Sequence, residues 1–164
     1  KISGSDLFPL LCNMAAAKGY KMFFLGAAEG VAKRAAENLT MKYKGLQVVG
    51  TYSPPFGFEN NKNEMDKIKN MIKASKPDIL IVGLGCPKQE KFMYHHCKEL
   101  GVPISLGLGA SFDFEAGNIK RAPRWMANHG LEWLFRITQD PRRMAKRYLV
   151  NDRKILGLAI KYRQ

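Results

Sequence analysis

A chain of 164 residues, 46% hydrophobic and 25% charged, is long enough for one domain with a real core and too apolar for a disordered segment. No run approaches the roughly 18 apolar residues of a membrane span. Three widely spaced cysteines, Cys12, Cys86 and Cys97, with no CxxC, argue against both a disulfide framework and structural zinc, and suit a reducing compartment.

The net charge of +13 is uneven. Residues 120–164 hold twelve Lys/Arg against three Asp/Glu, a surplus of +9 on a nearly balanced body. A basic tail of this kind points to an anionic partner: phospholipid, nucleic acid or a diphosphate. The plainer reading is a solvated positive face.

In chain order, Ser5 and Asp6 read as a helix cap, with Pro9 in or just past the first turn. Leu7, Leu10, Leu11 and Met14 follow at helical spacing, and Gly19 ends the helix. Met22 to Leu25 is a short strand, and Gly26 to Gly30 is a glycine turn feeding a helix from about Val31 to Tyr43, with Val31, Ala35 and Leu39 on one face. The full GxGxxG is missing, which weakens a dinucleotide reading. Leu46 to Tyr52 is a second strand. Ser53-Pro54-Pro55-Phe56-Gly57-Phe58 cannot prolong it, since two prolines remove ladder donors. This loop either lies over a ring of a ligand or packs on the body. A helix with Met65, Ile68, Met71 and Ile72 as its buried stripe comes next.

The centre of the sequence is a pair of Gly-x-Gly turns. Ile79 to Val82 leads into Gly83-Leu84-Gly85, and Pro103 to Leu106 leads into Gly107-Leu108-Gly109. Glycine turns after consecutive strands are a common way to present backbone N–H groups to an anion, and two of them predict one crevice at the carboxyl ends of a parallel sheet. Lys88, Gln89 and Glu90 stand at the mouth of the first turn, on a helix starting near Pro87 or Lys88. Asp113 and Glu115 follow the second turn. Asp113 either contacts a ribose, pairs with Glu115 on a metal or, more plainly, caps a loop. Adjacent His95 and His96 face different sides of a helix, so no metal is expected there. Pro123 to Gln139 reads as two short helices hinged at Gly130. Arg136, Arg142, Arg143, Lys146 and Arg147 follow, and Ile155 to Tyr162 forms a last apolar stripe.

The blocks GLGCPKQE and GASFDFEAGNIKRAPRWMANHGLEWLFRITQDPRR, preceded in order by ISGSDL and FFLGAAEGVAKRAAENL, closely resemble the WecG/TagA/CpsF family of bacterial glycosyltransferases. The resemblance covers nearly the whole chain. It implies an inverting transfer of an N-acetylhexosamine-type sugar, such as N-acetylmannosamine, from a UDP-sugar to a lipid-linked polyprenyl diphosphate acceptor, in cell-surface polysaccharide or teichoic acid synthesis. It also implies a peripheral seat on the cytoplasmic face of the bacterial membrane. Gln89 matches a family position at the catalytic pocket. The family's favoured base is an aspartate upstream of the GSDL block, so it is expected before Lys1.

The resulting expectation is an α/β fold: a Rossmann-like, mostly parallel sheet flanked by helices over residues 1–122, and a basic helical appendage over 123–164. Gln89, Arg136 and Arg143 are the expected catalytic residues. Gly26, Gly83, Gly85, Lys88, Glu90, Gly107, Gly109 and Asp113 are the expected UDP-sugar contacts. No metal and no cofactor are expected. The expected partners are the donor, the acceptor and an anionic membrane surface, with a homo-oligomer left open and nucleic acid excluded. The alternative is a basic nucleotide- or nucleic-acid-binding module. Its aromatics should interleave with basic residues on one surface, whereas those of the tail fall at apolar helical spacing.

Overall fold

The computed structural model describes residues 3–123, 125, 126, 129, 131–139 and 141, with the backbone alone at 132 and 136. It forms two compact units, residues 1–119 and 120–164.

The first unit is a four-stranded, wholly parallel sheet in the order β2-β1-β3-β4, made of β1 (Lys21–Gly26), β2 (Gln47–Tyr52), β3 (Ile79–Gly83) and β4 (Ile104–Gly107). Helices α1 (Gly4–Lys18), α2 (Val31–Lys42), α3 (Lys62–Ser75), α4 (Lys88–Leu100) and α5 (Gly109–Glu115) surround it. The centre of the sheet explains the apolar runs. β3 is buried at all five positions and β1 at five of six, as strands covered on both faces must be. Alternate residues divide between two cores. Met22, Phe24, Ile79 and Ile81 meet α1, α2 and α5 on one face. Phe23, Leu25, Leu80 and Val82 meet α3 and α4 on the other.

This division defines a switch point. The chain leaves β1 toward one face and β3 toward the other, so the carboxyl ends of these neighbouring strands open in opposite directions. Ligands of doubly wound sheets bind at such places. β4 sends α5 back to the first face, which brings the two Gly-x-Gly turns side by side, in register at Val82 and Gly107.

Two local expectations need correction. The cap of α1 is Ser3, not Ser5 or Asp6: its hydroxyl oxygen accepts from the Asp6 amide and donates to the Asp6 carboxylate. The buried face of α1 is Phe8, Cys12 and Ala15, while Leu10 and Met14 are 64% and 40% exposed. The reason is the shape of the facing surface. Phe8 meets Phe24 and Phe112 edge to face, with centroids 5.2 and 5.4 Å away, and such pairs add about 0.5–1.5 kcal/mol each beyond burial. A stripe of leucines one position away lacks that partner.

Within the second unit, Trp125 and Met126 are helical and α6 spans Glu132–Gln139. The Gln139 side chain closes this segment on itself: its Oε1 accepts from the Lys120 amide at 3.0 Å and its Nε2 donates to the Lys120 carbonyl. The hinge expected at Gly130, the stripe Ile155 to Tyr162, and Arg142, Arg143, Lys146 and Arg147 lie outside the described residues.

Candidate active site

The carboxyl ends of β1, β3 and β4 bring six of the predicted residues together: Gly26, Gly83, Gly107, Gly109, Gln89 and, beside them, Gly85. Four of these glycines make room for neighbouring protein atoms. Gly26, at φ 112°, lies flat on Gly83, whose carbonyl accepts from the Ala27 amide at 2.8 Å. A Cβ on Gly83 would lie 2.6 Å from the Phe112 ring. A Cβ on Gly107 would lie 2.8 Å from Gln89 Nε2, and one on Gly109 3.1 Å from Gln89 Oε1. The missing side chains thus seat Phe112 on one side of β3 and the Gln89 amide on the second turn. Gly85 differs: at φ 81° it has open space where a Cβ would be, so backbone conformation alone asks for glycine there.

The amides of the turns are partly committed as well. The Leu108 amide donates to the Val82 carbonyl at 3.0 Å and the Ala27 amide to Gly83, so both continue the sheet instead of facing outward. The first turn contains a cis bond between Cys86 and Pro87, and the Gly85 carbonyl accepts from the Gln89 amide at 2.9 Å to open α4. Pro87 is the cap and Lys88 the first helical residue.

Gln89 Nε2 donates to the Glu90 carboxylate at 2.9 Å. That contact fixes the amide orientation, because a flip would set two oxygens against each other. It leaves Oε1 buried without a hydrogen-bond partner. A buried acceptor in this state costs about 1–3 kcal/mol, which a ligand O–H or N–H would relieve once the amide turns toward it.

Lys88 does not stand free. Its ammonium pairs with the Glu59 carboxylate and lies 4.7 Å from the centre of the Phe56 ring. The Lys88 hydrogen bond holds Glu59 below the usual carboxylate range. Phe56, on the β2–α3 loop, is 100% exposed. Both ends of this loop are pinned. The Ser53 hydroxyl lies within bonding reach of the Gly26 and Ala28 carbonyls, at 3.0 and 3.2 Å, and Phe58 is buried against α3. Tyr52 donates to Glu64 below the loop, and Lys67 donates to the Tyr52 hydroxyl at 2.7 Å.

Asp113 lies in α5, not in a loop. Its side chain accepts from Asn118 Nδ2 at 3.3 Å and its carbonyl from the Asn118 amide, so it shapes the turn that ends the helix. Asn118 also accepts from Arg34, and Asn38 donates to the Glu115 carbonyl, which locks α5 to α2. Arg136 belongs to α6 and only its backbone is described; Arg143 is outside the described residues. Glu59, Ser53, Phe112 and Asn118 were not singled out as individual positions in the sequence. Phe112 and Asn118 lie in the block after the second glycine turn, where they were legible as part of a motif. Nothing near Glu59 in the chain announces its partner.

A family described as "Glycosyl transferase WecG/TagA/CpsF family" matches residues 1–164. The chain is 35% identical over 141 residues to an N-acetylglucosaminyldiphosphoundecaprenol N-acetyl-beta-D-mannosaminyltransferase of Bacillus subtilis (strain 168), covering 86% of this chain and 53% of that protein. It is 36% identical over 143 residues to the protein of the same name in Bacillus spizizenii, covering 87% and 53%. The chain spans about half the length of the curated relatives it matches.

Proposed function

The chain belongs to the WecG/TagA/CpsF glycosyl transferase family, and from that premise we propose that it moves an N-acetylhexosamine-type sugar from a UDP-sugar to a lipid-linked acceptor. The names of its relatives specify the finer reading: N-acetylmannosamine as the sugar and an N-acetylglucosaminyl diphosphate on a polyprenyl carrier as the acceptor. The observation that carries it is the seating of the Gln89 amide on the second glycine turn, beside the first, at the carboxyl end of a doubly wound sheet.

The chemistry asks for groups that meet charge growing on the leaving diphosphate as the glycosidic bond breaks. Lys88 is suited to that task, and Arg136 and Arg143 of the basic tail are its proposed companions. Gln89 would bind and orient the sugar. The acceptor hydroxyl also needs a base. Neither Asp6 nor Asp113 is proposed for it, since the Asp6 carboxylate accepts from the Ser3 hydroxyl and Asp113 shapes the turn that ends α5. The donor needs no metal in this reading. No helix among the described residues is long and apolar enough to cross a membrane. The tail is the proposed contact with an anionic membrane, where each Lys or Arg contributes about 1 kcal/mol at low salt.

Calorimetry with UDP, NAD and a single-stranded oligonucleotide tests the donor assignment. UDP binding with no NAD binding is expected, and Gln89→Ala should weaken binding of the UDP-sugar more than that of UDP. Oligonucleotide binding without UDP binding would favour the nucleic-acid module. Co-sedimentation tests the membrane contact: it should require anionic lipid, weaken with salt and fall when residues 136–164 are removed. Equal binding to neutral vesicles would defeat it.

A further inference from the structure

We propose that Glu59 is an internal stand-in for the ligand's diphosphate: in the empty protein its carboxylate holds the Lys88 ammonium, and a nucleoside diphosphate takes that ammonium over. The inference rests on the glycosyltransferase reading and assigns a competing residue to the same site.

The amides of Ala27 and Leu108 already bond within the sheet, so side chains must supply part of the positive charge for an anion here. Lys88 is three residues beyond Gly85, and its charge meets a carboxylate from a different element. Glu59 sits on the short 3-10 helix Phe58–Asn60, after Gly57 at φ 82°. That helix is anchored by buried Phe58, and the loop before it by Ser53. The carboxylate is thus delivered to Lys88 by a fixed support. The mobile partner is the lysine, a point charge on a four-carbon stem that changes rotamer readily. The exchange needs one side chain to swing and no refolding of the loop.

A diphosphate outcompetes a carboxylate for an ammonium because it brings more charge and more acceptor oxygens. The cost of the exchange is the Lys88–Glu59 pair itself, whose side chains are 38% and 37% exposed. Pairs of this kind correspond to about a two- to fivefold change in an equilibrium constant. Glu59 thus lowers affinity by that factor and keeps Lys88 from binding stray anions. The Phe56 ring lies against the same ammonium.

The test compares UDP affinity by calorimetry in the wild-type chain, Glu59→Gln and Glu37→Gln. Glu37 is an exposed carboxylate on α2, which packs on the other face of the sheet. It therefore reports the effect of net charge alone. Glu59→Gln should tighten UDP about two- to fivefold, and Glu37→Gln should change it clearly less. Unchanged or weaker UDP binding in Glu59→Gln overturns the proposal. So does equal tightening by the two variants. Failure of the wild-type chain to bind UDP overturns the donor assignment first, and this inference with it.

Discussion

Gly83→Ala separates two roles for the glycine turns. The new methyl would lie 2.6 and 2.7 Å from two carbons of the Phe112 ring and 3.2 Å from the Gly109 Cα. Phe112 is wholly buried and wedged between Phe8 and Phe24, so it has no free direction of retreat. Overpacking of this sort costs about 1–3 kcal/mol. Reduced freedom of the unfolded chain returns about 0.4–1 kcal/mol. A net loss of about 1–2 kcal/mol is expected in urea unfolding, with an unchanged slope. Phe112→Leu opens room at the same place, so the double variant should lose less than the sum of the two single ones, with a coupling of about 1 kcal/mol. Gly85→Ala is the contrast. Its penalty of about 1–2 kcal/mol comes from the left-handed backbone alone and should be additive with Phe112→Leu. Strict additivity of Gly83→Ala with Phe112→Leu, or loss of UDP affinity at full stability, would refute the packing argument and return Gly83 to a ligand-contact role.

Three further outcomes are expected. Exposed Cys86, in the first turn, should react readily with a thiol reagent at pH 8 and be protected by UDP, while Cys12, whose thiol burial pushes up to about 12, should react only on unfolding; mass spectrometry of the labelled peptides decides both. Gln89→Met removes a buried acceptor that has no partner, so thermal stability should hold or rise while UDP-sugar affinity falls; a clear loss of stability would contradict the geometry. Glu99 bonds to Lys69 first and Lys73 second, which lowers its carboxyl from 4.5 to about 2. A depressed carboxylate stabilises the fold above its unfolded value and loses that effect as pH falls toward its folded value. The gap in denaturation midpoint between wild type and Glu99→Gln should therefore be full at pH 6 and close between pH 4.5 and about 2; a constant gap would sink the assignment.

The strands were legible because a doubly covered parallel sheet demands apolar runs, and Met22 to Leu25 and Ile79 to Val82 offer little else. That they run parallel followed from the strand–helix alternation, while their order in the sheet did not. The phase of α1 was not legible. Phe8–Cys12–Ala15 and Leu7–Leu11–Met14 are neighbouring stripes on one helix, and hydropathy favours the wrong one. Only the ring of Phe112, more than a hundred residues downstream, decides between them. The glycine turns were legible but their packing partners were not, since a sequence shows that a side chain is missing and not what fills its place. Lys88 was read as a charge, and the Glu59 that meets it belongs to another loop.

The sheet order carries a consequence for synthesis. β1 bonds to β2 on one edge and to β3 on the other, and β3 comes much later in the chain. A nascent chain can complete β1, α2 and β2 by residue 52, yet the second edge of β1 stays open until residue 83 has emerged. In that interval Met22, Phe23, Phe24 and Leu25 flank a row of unpaired backbone groups, the kind of edge that recruits strands from other chains. Pairing across a long crossover is slow, so the exposure is not brief on the scale of local folding. What shortens it is α3: the sooner Ile68 and Ile72 cover Phe23 and Leu25, the sooner the open edge is held in place for β3 rather than for a neighbour.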